Sequence, residues 1–79
     1  MPPTIAVIAG TREQAERHAR EHGWRRGSYR YISGAHVAQG WHPKKIAVCA
    51  KWYDRADYPE LRDWASRCEA LGAEFVVLC

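Results

Sequence analysis

Cysteine is scarce in this chain of 79 residues, which contains only Cys49, Cys68 and Cys79. The number is odd and no two cysteines are separated by two residues, which argues against a disulfide framework and a structural zinc site. Cys49 and Cys68 fall on apolar segments, so we expect both to be small buried side chains. His18 and His22 have the spacing of a helical ligand pair but no accompanying third ligand, so we predict no metal site.

Long apolar runs are also absent. The longest is far shorter than the ~20 residues that a membrane-spanning helix requires. The N-terminus, Met1-Pro2-Pro3, lacks the basic region that opens a secretory signal. We therefore expect a cytoplasmic protein that does not enter a membrane. A chain of this length accommodates one domain, residues 1–79, with a small core.

Two phosphate-binding motifs are missing, because the chain contains neither GxGxxG nor GxxxxGK[ST]. No Ser/His/Asp or Cys/His arrangement for nucleophilic catalysis can be recognised either. We assign no catalytic residue and no cofactor on these grounds. A function in binding is therefore expected, rather than a function in catalysis.

The clearest positive signal is an apolar run, Thr4 to Ala9, that ends at Gly10 and passes at once into a polar helix start. A buried parallel strand followed by a helix has this pattern. Thr11 and Gln14 have the spacing of a capping box at the start of that helix. Three more strands follow, with helical segments between them. We predict strands at about 4–9, 28–32, 46–50 and 74–78, and helices at about 12–22, 33–40 and 57–71.

This alternation predicts an α/β fold with a small four-stranded, mainly parallel sheet and right-handed crossovers. The expected strand order is 2-1-3-4, as in flavodoxin-like and Rossmann-like sheets, with helices on both faces. The last helix has an apolar stripe at helical spacing, formed by Leu61, Trp64, Ala65, Cys68 and Leu71. Asp57 is expected to cap this helix, and Ser33 the short central one.

A full-length flavodoxin-like fold has a further helix that lies beside the first helix. The pattern of this chain shows no such helix after the fourth strand. We expect the sheet face under strands 3 and 4, on the side of the first helix, to be partly bare and apolar. Two outcomes are open. A homodimer or another protein partner covers this face, or the long aromatic side chains of a monomer fold over it.

Ligands of open parallel sheets bind beyond the carboxyl ends of the strands, here between strands 1 and 3. The residues predicted to meet at that point are Gly10, Thr11, Arg12, Lys51 and Trp52. The helix amides would hold a phosphate, a cation would neutralise it and the indole would stack on a base. The alternative is structural, with Gly10 permitting a tight turn and Thr11 capping the helix.

The charge is distributed unevenly. Residues 1–45 contain eight Lys/Arg and three Asp/Glu, a net +5, whereas residues 46–79 contain four and six, a net −2. Cations and aromatic rings are interleaved in the first half: Arg17, Arg20, Arg25, Arg26, Arg30, Lys44 and Lys45 with Trp24, Tyr29, Tyr31 and Trp41. Nucleic-acid binding is one interpretation, since cations neutralise phosphates and rings stack on unpaired bases. A solvated charged face is the other.

Protein interaction is the function that we expect first. The chain has four tryptophans, and Trp, Tyr and Arg are the residues that most often dominate binding energy at interfaces. The candidate interaction residues are Trp24, Arg25, Arg26, Trp41 and Tyr53, all in predicted loops. The opposed charges of the two halves also suit complementary docking.

Three segments, IAVIAGTREQAERHAREHGW, YRYIS and KIAVCAKWYDRADYPELRDWASRCEALGAEFVVL, together resemble small uncharacterised Rossmann-like proteins of actinobacterial phages. The resemblance covers most of the chain and rests on the order of strands and helices and on the Gly-Thr-Arg and Trp-Tyr-Asp-Arg segments. It implies a P-loop-like fold without the phosphate loop. It also implies an accessory protein in the host cell cytoplasm that binds a host or phage component, and it identifies no catalytic residue.

Overall fold

A computed structural model of the chain describes residues 3–49 and 51–78. Its elements are β1 (Ile5–Ile8), α1 (Arg12–Glu21), β2 (Tyr29–Tyr31), α2 (Ala35–Ala38), β3 (Lys45–Val48), a 3-10 turn (Trp52–Asp54), α3 (Tyr58–Ala70) and β4 (Glu74–Val77). The four strands form one sheet of order β2-β1-β3-β4, and each neighbouring pair is parallel. The predicted α/β fold, strand order and mainly parallel sheet are therefore confirmed.

The sheet has two apolar faces because β1 and β3 alternate their side chains between them. Ala6 and Ile8 of β1 lie on the face that packs against α2 and α3, whereas Val7 lies with Ala15 of α1 on the other face. Ile46 of β3 is paired with Ala6 and continues the first face. Helices therefore cover both faces, as expected.

Helix α1 begins as predicted. The Thr11 side chain accepts a hydrogen bond from the Gln14 amide at 3.2 Å, which satisfies one of the unpaired donors of the first turn. Ala15 and Ala19 are buried, and with such small side chains α1 adds little apolar area to the core. His22 follows the end of the helix at Glu21 and is exposed.

Helix α3 buries Leu61, Trp64, Ala65 and Cys68, as its periodicity predicts. Leu71, the last member of the predicted stripe, is 72% exposed. Its amide still donates to the carbonyl of Arg67, and it lines a depression with Trp64 and Cys68, so Leu71 lies on the predicted side of α3 but is not covered there.

The predicted side-chain caps of α3 and α2 are not formed. Asp57 occupies the N-cap position of α3, but its side chain makes no capping hydrogen bond. Its carboxylate instead receives two hydrogen bonds from Arg55. At α2 the N-cap is Gly34 rather than Ser33. Ala50, the predicted end of strand 3, and Cys79 lie outside the described residues.

The predicted bare face, on the α1 side of β3 and β4, is only partly closed. Ala47 and Cys49 are buried there, whereas Val76 and Leu78 are half-buried. The most exposed apolar side chains of β4 are Phe75 and Val77, which the strand register places on the α3 side. On that side the Trp52 ring packs against Phe75, and Val77 stays exposed at the edge of the sheet.

Candidate functional site

Three of the predicted ligand-binding residues come together at the carboxyl ends of β1 and β3. Gly10, Thr11 and Lys51 line an open depression of about 300 Å³, together with Gln14, Asp54 and Arg55. Lys51 supplies an exposed cation at the rim. The depression also contains the carboxylate-bearing Asp54, which opposes an anion there.

The other two predicted ligand-binding residues face elsewhere. The guanidinium carbon of Arg12 lies 5.3 Å from the centre of the Tyr31 ring, and Arg12 lines a different cleft. The Trp52 ring packs against Tyr58 at a centroid distance of 4.8 Å and against Phe75 at 6.2 Å. Trp52 therefore closes the edge of the core and does not line the depression.

Arg55 spans the point between β1 and β3 that the fold leaves for a ligand. Its Nη1 donates to the carbonyl of Ala9 at 3.0 Å and to the carbonyl of Ile32 at 2.7 Å. Its Nη2 donates to the carbonyl of Ser33 at 2.9 Å. The guanidinium thus joins the carboxyl ends of β1 and β2 to the segment that follows β3.

Asp57 completes this arrangement. Nε and Nη2 of Arg55 donate to the two carboxylate oxygens of Asp57, both at 2.9 Å, in a bidentate pair. Every one of the five guanidinium N–H groups therefore has an acceptor. With its side chain only 11% exposed, Arg55 is an internal clamp whose hydrogen-bonding capacity is filled.

The sequence places Arg55 in the loop after strand 3, at the switch point, but does not reveal its role, because its acceptors are backbone carbonyls of distant segments, 46 and 22 residues away for Ala9 and Ser33. The close Arg-x-Asp spacing with Asp57 was the available signal. It was obscured because Asp57 also fits a helix cap. The clamp occupies the centre of the switch point, so an anion in the depression is restricted to the rim at Thr11 and Lys51.

The predicted interaction residues lie on opposite faces of the sheet. Trp24 stacks on His22 at a centroid distance of 5.2 Å and packs on the α1 side. Trp41 stacks on Trp64 at 6.4 Å and packs on the α3 side. Tyr53 is 57% exposed in the turn after β3. These rings therefore do not form one continuous surface.

The two remaining predicted interaction residues flank the turn before β2. Arg25 is exposed, and its carbonyl accepts hydrogen bonds from the amide and the hydroxyl of Ser28 at 3.0 and 2.6 Å. Arg26 lines a cleft of about 390 Å³ at the free edge of β2, which we call the β2 cleft. Its lining consists of Arg12, Glu16, Arg26, Gly27, Tyr29, Arg30, Tyr31, Ser33 and Val37.

Only part of the basic set of the first half converges on the β2 cleft. Arg26 and Arg30 are in its lining, with both tyrosines of β2. Arg17 and Arg20 are exposed on α1 outside it. Lys45 lies 3.8 Å from the carboxylate of Glu74, on the far side of the sheet.

A second surface that sequence reasoning missed lies at the free edge of β4. Val77 is 59% exposed and Phe75 is 37% exposed. We call Phe75 and Val77 the β4 surface. The available signal was the run of β-forming residues in a strand that the order 2-1-3-4 places at an edge.

Neither a metal-ligand cluster nor a membrane-spanning helix is found among the described residues. Among residues 3–49 and 51–78, no group of three or more His, Cys, Asp or Glu could hold a metal ion. In that same part of the chain, no helix is long and apolar enough to cross a membrane. His18 of the predicted pair lies 3.7 Å from the carboxylate of Glu21.

Comparison with known proteins identifies no relative. No protein-family model, no curated protein and no solved structure matches the chain.

Proposed function

We propose that this protein is a small non-catalytic interaction module that associates with a second copy of itself through the free edge of β4. The observation that carries the proposal is the β4 surface. Phe75 and Val77 lie on the face of the sheet that carries α3, yet both remain exposed. Exposed apolar strands at a sheet edge favour pairing with another strand. Natural edges usually prevent such pairing with lysine, proline or a bulge, and the sequence of β4, Glu-Phe-Val-Val, contains neither lysine nor proline.

The hydrogen-bond pattern of β4 leaves a usable backbone edge. The amide of Glu74 donates to the carbonyl of Lys44 at 2.9 Å, and the amide of Leu78 donates to the carbonyl of Val48 at 2.8 Å. Because backbone groups alternate in direction along a strand, Phe75 and Val77 direct their N–H and C=O groups away from β3.

A second copy satisfies these groups in an antiparallel arrangement centred on Val76. Phe75 of one copy then lies opposite Val77 of the other, and both positions have the outward backbone groups that a hydrogen-bonded pair requires. The facing aromatic and β-branched side chains form a favourable cross-strand pair. Glu74 falls opposite Leu78, so the two Glu74 carboxylates do not face each other.

This geometry closes as a two-fold dimer with one continuous eight-stranded sheet. This arrangement supports the expected homodimer. The two copies meet through the edge of β4 and not through the sheet face on the side of α1. The resemblance to small phage proteins supports the further proposal that such a module acts as an accessory protein on a host or phage component.

Sedimentation velocity at micromolar concentration tests the proposal with two variants of one residue. Val77→Pro removes an outward N–H that makes no bond to β3, so the domain is expected to stay folded while the dimer is lost. Val77→Thr retains both the N–H and the β-branched side chain and is the matched control. We expect a dimer for the wild type and for Val77→Thr, and a folded monomer for Val77→Pro. A monomeric wild type, or a Val77→Pro variant that folds and still dimerises, would contradict the proposal.

A further inference from the structure

The β2 cleft concentrates cations that lack carboxylate partners. Arg12, Arg26 and Arg30 all line it and are exposed. None of the ion pairs within residues 3–49 and 51–78 involves any of the three. Glu16 is the one acidic residue in the lining, so the cleft has an excess of positive charge.

Two of these guanidinium groups are held over aromatic rings. Arg12 lies 5.3 Å from the centre of the Tyr31 ring, and Arg30 lies 5.8 Å from the centre of the Trp41 ring. Stacking of this kind restrains the planar guanidinium but leaves its in-plane N–H groups free to donate. Arg12 is therefore held over Tyr31 with N–H groups that can donate to a phosphate, and Arg30 reaches the edge of β2 from the side of Trp41.

The floor of the cleft adds flat rings and backbone donors. Tyr29 and Tyr31 project from the same side of β2 and are half-buried. The amide of Ile32 donates to the carbonyl of Val7, and the carbonyl of Ser28 accepts from the amide of Ile5. By the alternation of a strand, the N–H groups of Tyr29 and Tyr31 point outward at the free edge.

We infer that the β2 cleft binds the backbone of single-stranded nucleic acid, with its arginines on phosphates and its tyrosines beside unpaired bases. Arginines and aromatic rings within one concave groove are the combination that single-strand binders use. The cleft volume of about 390 Å³ lies within the range of small-ligand sites and accepts a nucleotide unit rather than a duplex. The inference does not depend on association through β4, which lies at the opposite edge of the sheet.

Duplex binding and acidic-peptide binding fit the cleft less well. A duplex is usually read by a helix in the major groove, and α1 has no excess of positive charge, because its three arginines are balanced by Glu13, Glu16 and Glu21. A carboxylate chain would satisfy the arginines equally well. It offers no planar ring of its own to the aromatic side chains that line the cleft, so the nucleic acid is favoured.

Fluorescence anisotropy with a labelled oligothymidylate of about ten nucleotides, a typical single-strand site size, measures the binding. With up to three arginine–phosphate contacts, the logarithm of the association constant is expected to fall against the logarithm of salt with a slope of about −2. Arg26→Ala combined with Arg30→Ala is expected to weaken binding about tenfold or more and to reduce the slope to about −0.7. Thermal melting followed by circular dichroism establishes that this variant is folded.

Arg17→Ala combined with Arg20→Ala is the matched control, because it removes the same charge from exposed positions outside the cleft. This control is expected to retain binding within about threefold. Equal losses in the two double variants would overturn the inference, because they would indicate attraction to net charge alone.

Removal of the one carboxylate in the cleft gives a test that misfolding cannot imitate. Glu16→Gln is expected to tighten oligothymidylate binding about two- to fivefold, because it removes a repulsive charge beside the phosphates. Glu13→Gln, one turn away on α1 and outside the cleft lining, is the control and is expected to have a smaller effect. Equal effects of the two variants would contradict the inference. Tighter binding of a duplex of the same length, or equal competition by polyglutamate, would also overturn it.

Discussion

At the scale of single residues, Arg55 determines how the carboxyl edge of the sheet is built. Its guanidinium hydrogen-bonds to the carbonyls of Ala9, Ile32 and Ser33 and pairs with Asp57. An open parallel sheet normally keeps this position for a ligand. Here a side chain of the protein itself fills it, which explains why the loops after β1 and β3 form only a shallow depression.

Because Arg55 holds three segments together, we expect truncation of its side chain to lower the free energy of unfolding strongly. Arg55→Ala leaves the Asp57 carboxylate and three strand-end carbonyls without their donors, so we expect the free energy of unfolding to fall by about 3 kcal/mol or more. Arg55→Lys is expected to recover only a small part, because an ammonium cannot reproduce the planar fork. Urea denaturation followed by circular dichroism measures both effects.

Arg62 offers the matched control for this experiment, since it is an exposed arginine on α3. Arg62→Ala is expected to change the free energy of unfolding by no more than about 0.5 kcal/mol. If Arg55→Ala were as small in effect as Arg62→Ala, the clamp would not be a stabilising element.

At the scale of elements, the reliable predictions were those that rest on periodicity and local caps. The stripe of α3 and the Thr11 cap of α1 both follow from residues that are close in sequence. The prediction that Leu71 is buried failed because periodicity places it on the side of Trp64 and Cys68 but does not show whether another element covers that end of the helix. The capping prediction for Asp57 failed because Arg55 is a stronger partner than a backbone amide.

Burial within α3 makes stability depend on pH through Cys68. Removal from water raises the pKa of the Cys68 thiol above its ordinary value of 9.0, and the nearby Arg67 charge offsets part of this rise. The folded state therefore keeps the proton that the unfolded state releases. The stability that Cys68 contributes is therefore fully present below the pKa of its thiol in the unfolded state. It is lost as pH rises through the higher pKa of the thiol in the folded state.

The expected result is a selective alkaline weakening of the wild type. The difference in unfolding free energy between wild type and Cys68→Ala should be constant below about pH 8 and should shrink above about pH 9, by at most about 1.4 kcal/mol per pH unit. Urea denaturation across this range measures the difference, in which groups common to both proteins cancel. A difference that stays constant to about pH 10 would show that Cys68 titrates alike in both states.

At the scale of the whole molecule, the order of the sheet could be predicted because right-handed crossovers leave few arrangements for four strands and three helices. The candidate sites could not be predicted to the same degree. The β2 cleft combines α1, β2 and α2 side chains with the preceding turn, and the switch point is occupied by Arg55, whose acceptors lie on two other strands. These residues are distant in sequence and meet only in the folded protein, so the spacing of residues along the chain does not predict the site.

The two edges of the sheet also differ in chemistry in a way that only the assembled fold displays. The edge at β2 carries the arginines of the β2 cleft, whereas the edge at β4 exposes Phe75 and Val77. A dimer joined through β4 would place its two β2 clefts at opposite ends of the extended sheet. Association and anion binding would then occupy separate surfaces.

The most direct test of the central proposal, association through β4, is amide hydrogen exchange measured by NMR as a function of protein concentration. In a monomer, the amides of Phe75 and Val77 point to solvent, whereas those of Glu74 and Leu78 are bonded to β3. Antiparallel pairing of two β4 strands would protect the first pair as well. We predict that exchange at Phe75 and Val77 slows as concentration rises, while Tyr29 and Tyr31 at the opposite edge remain unchanged. Exchange at Phe75 and Val77 that stays fast at every concentration would contradict the account.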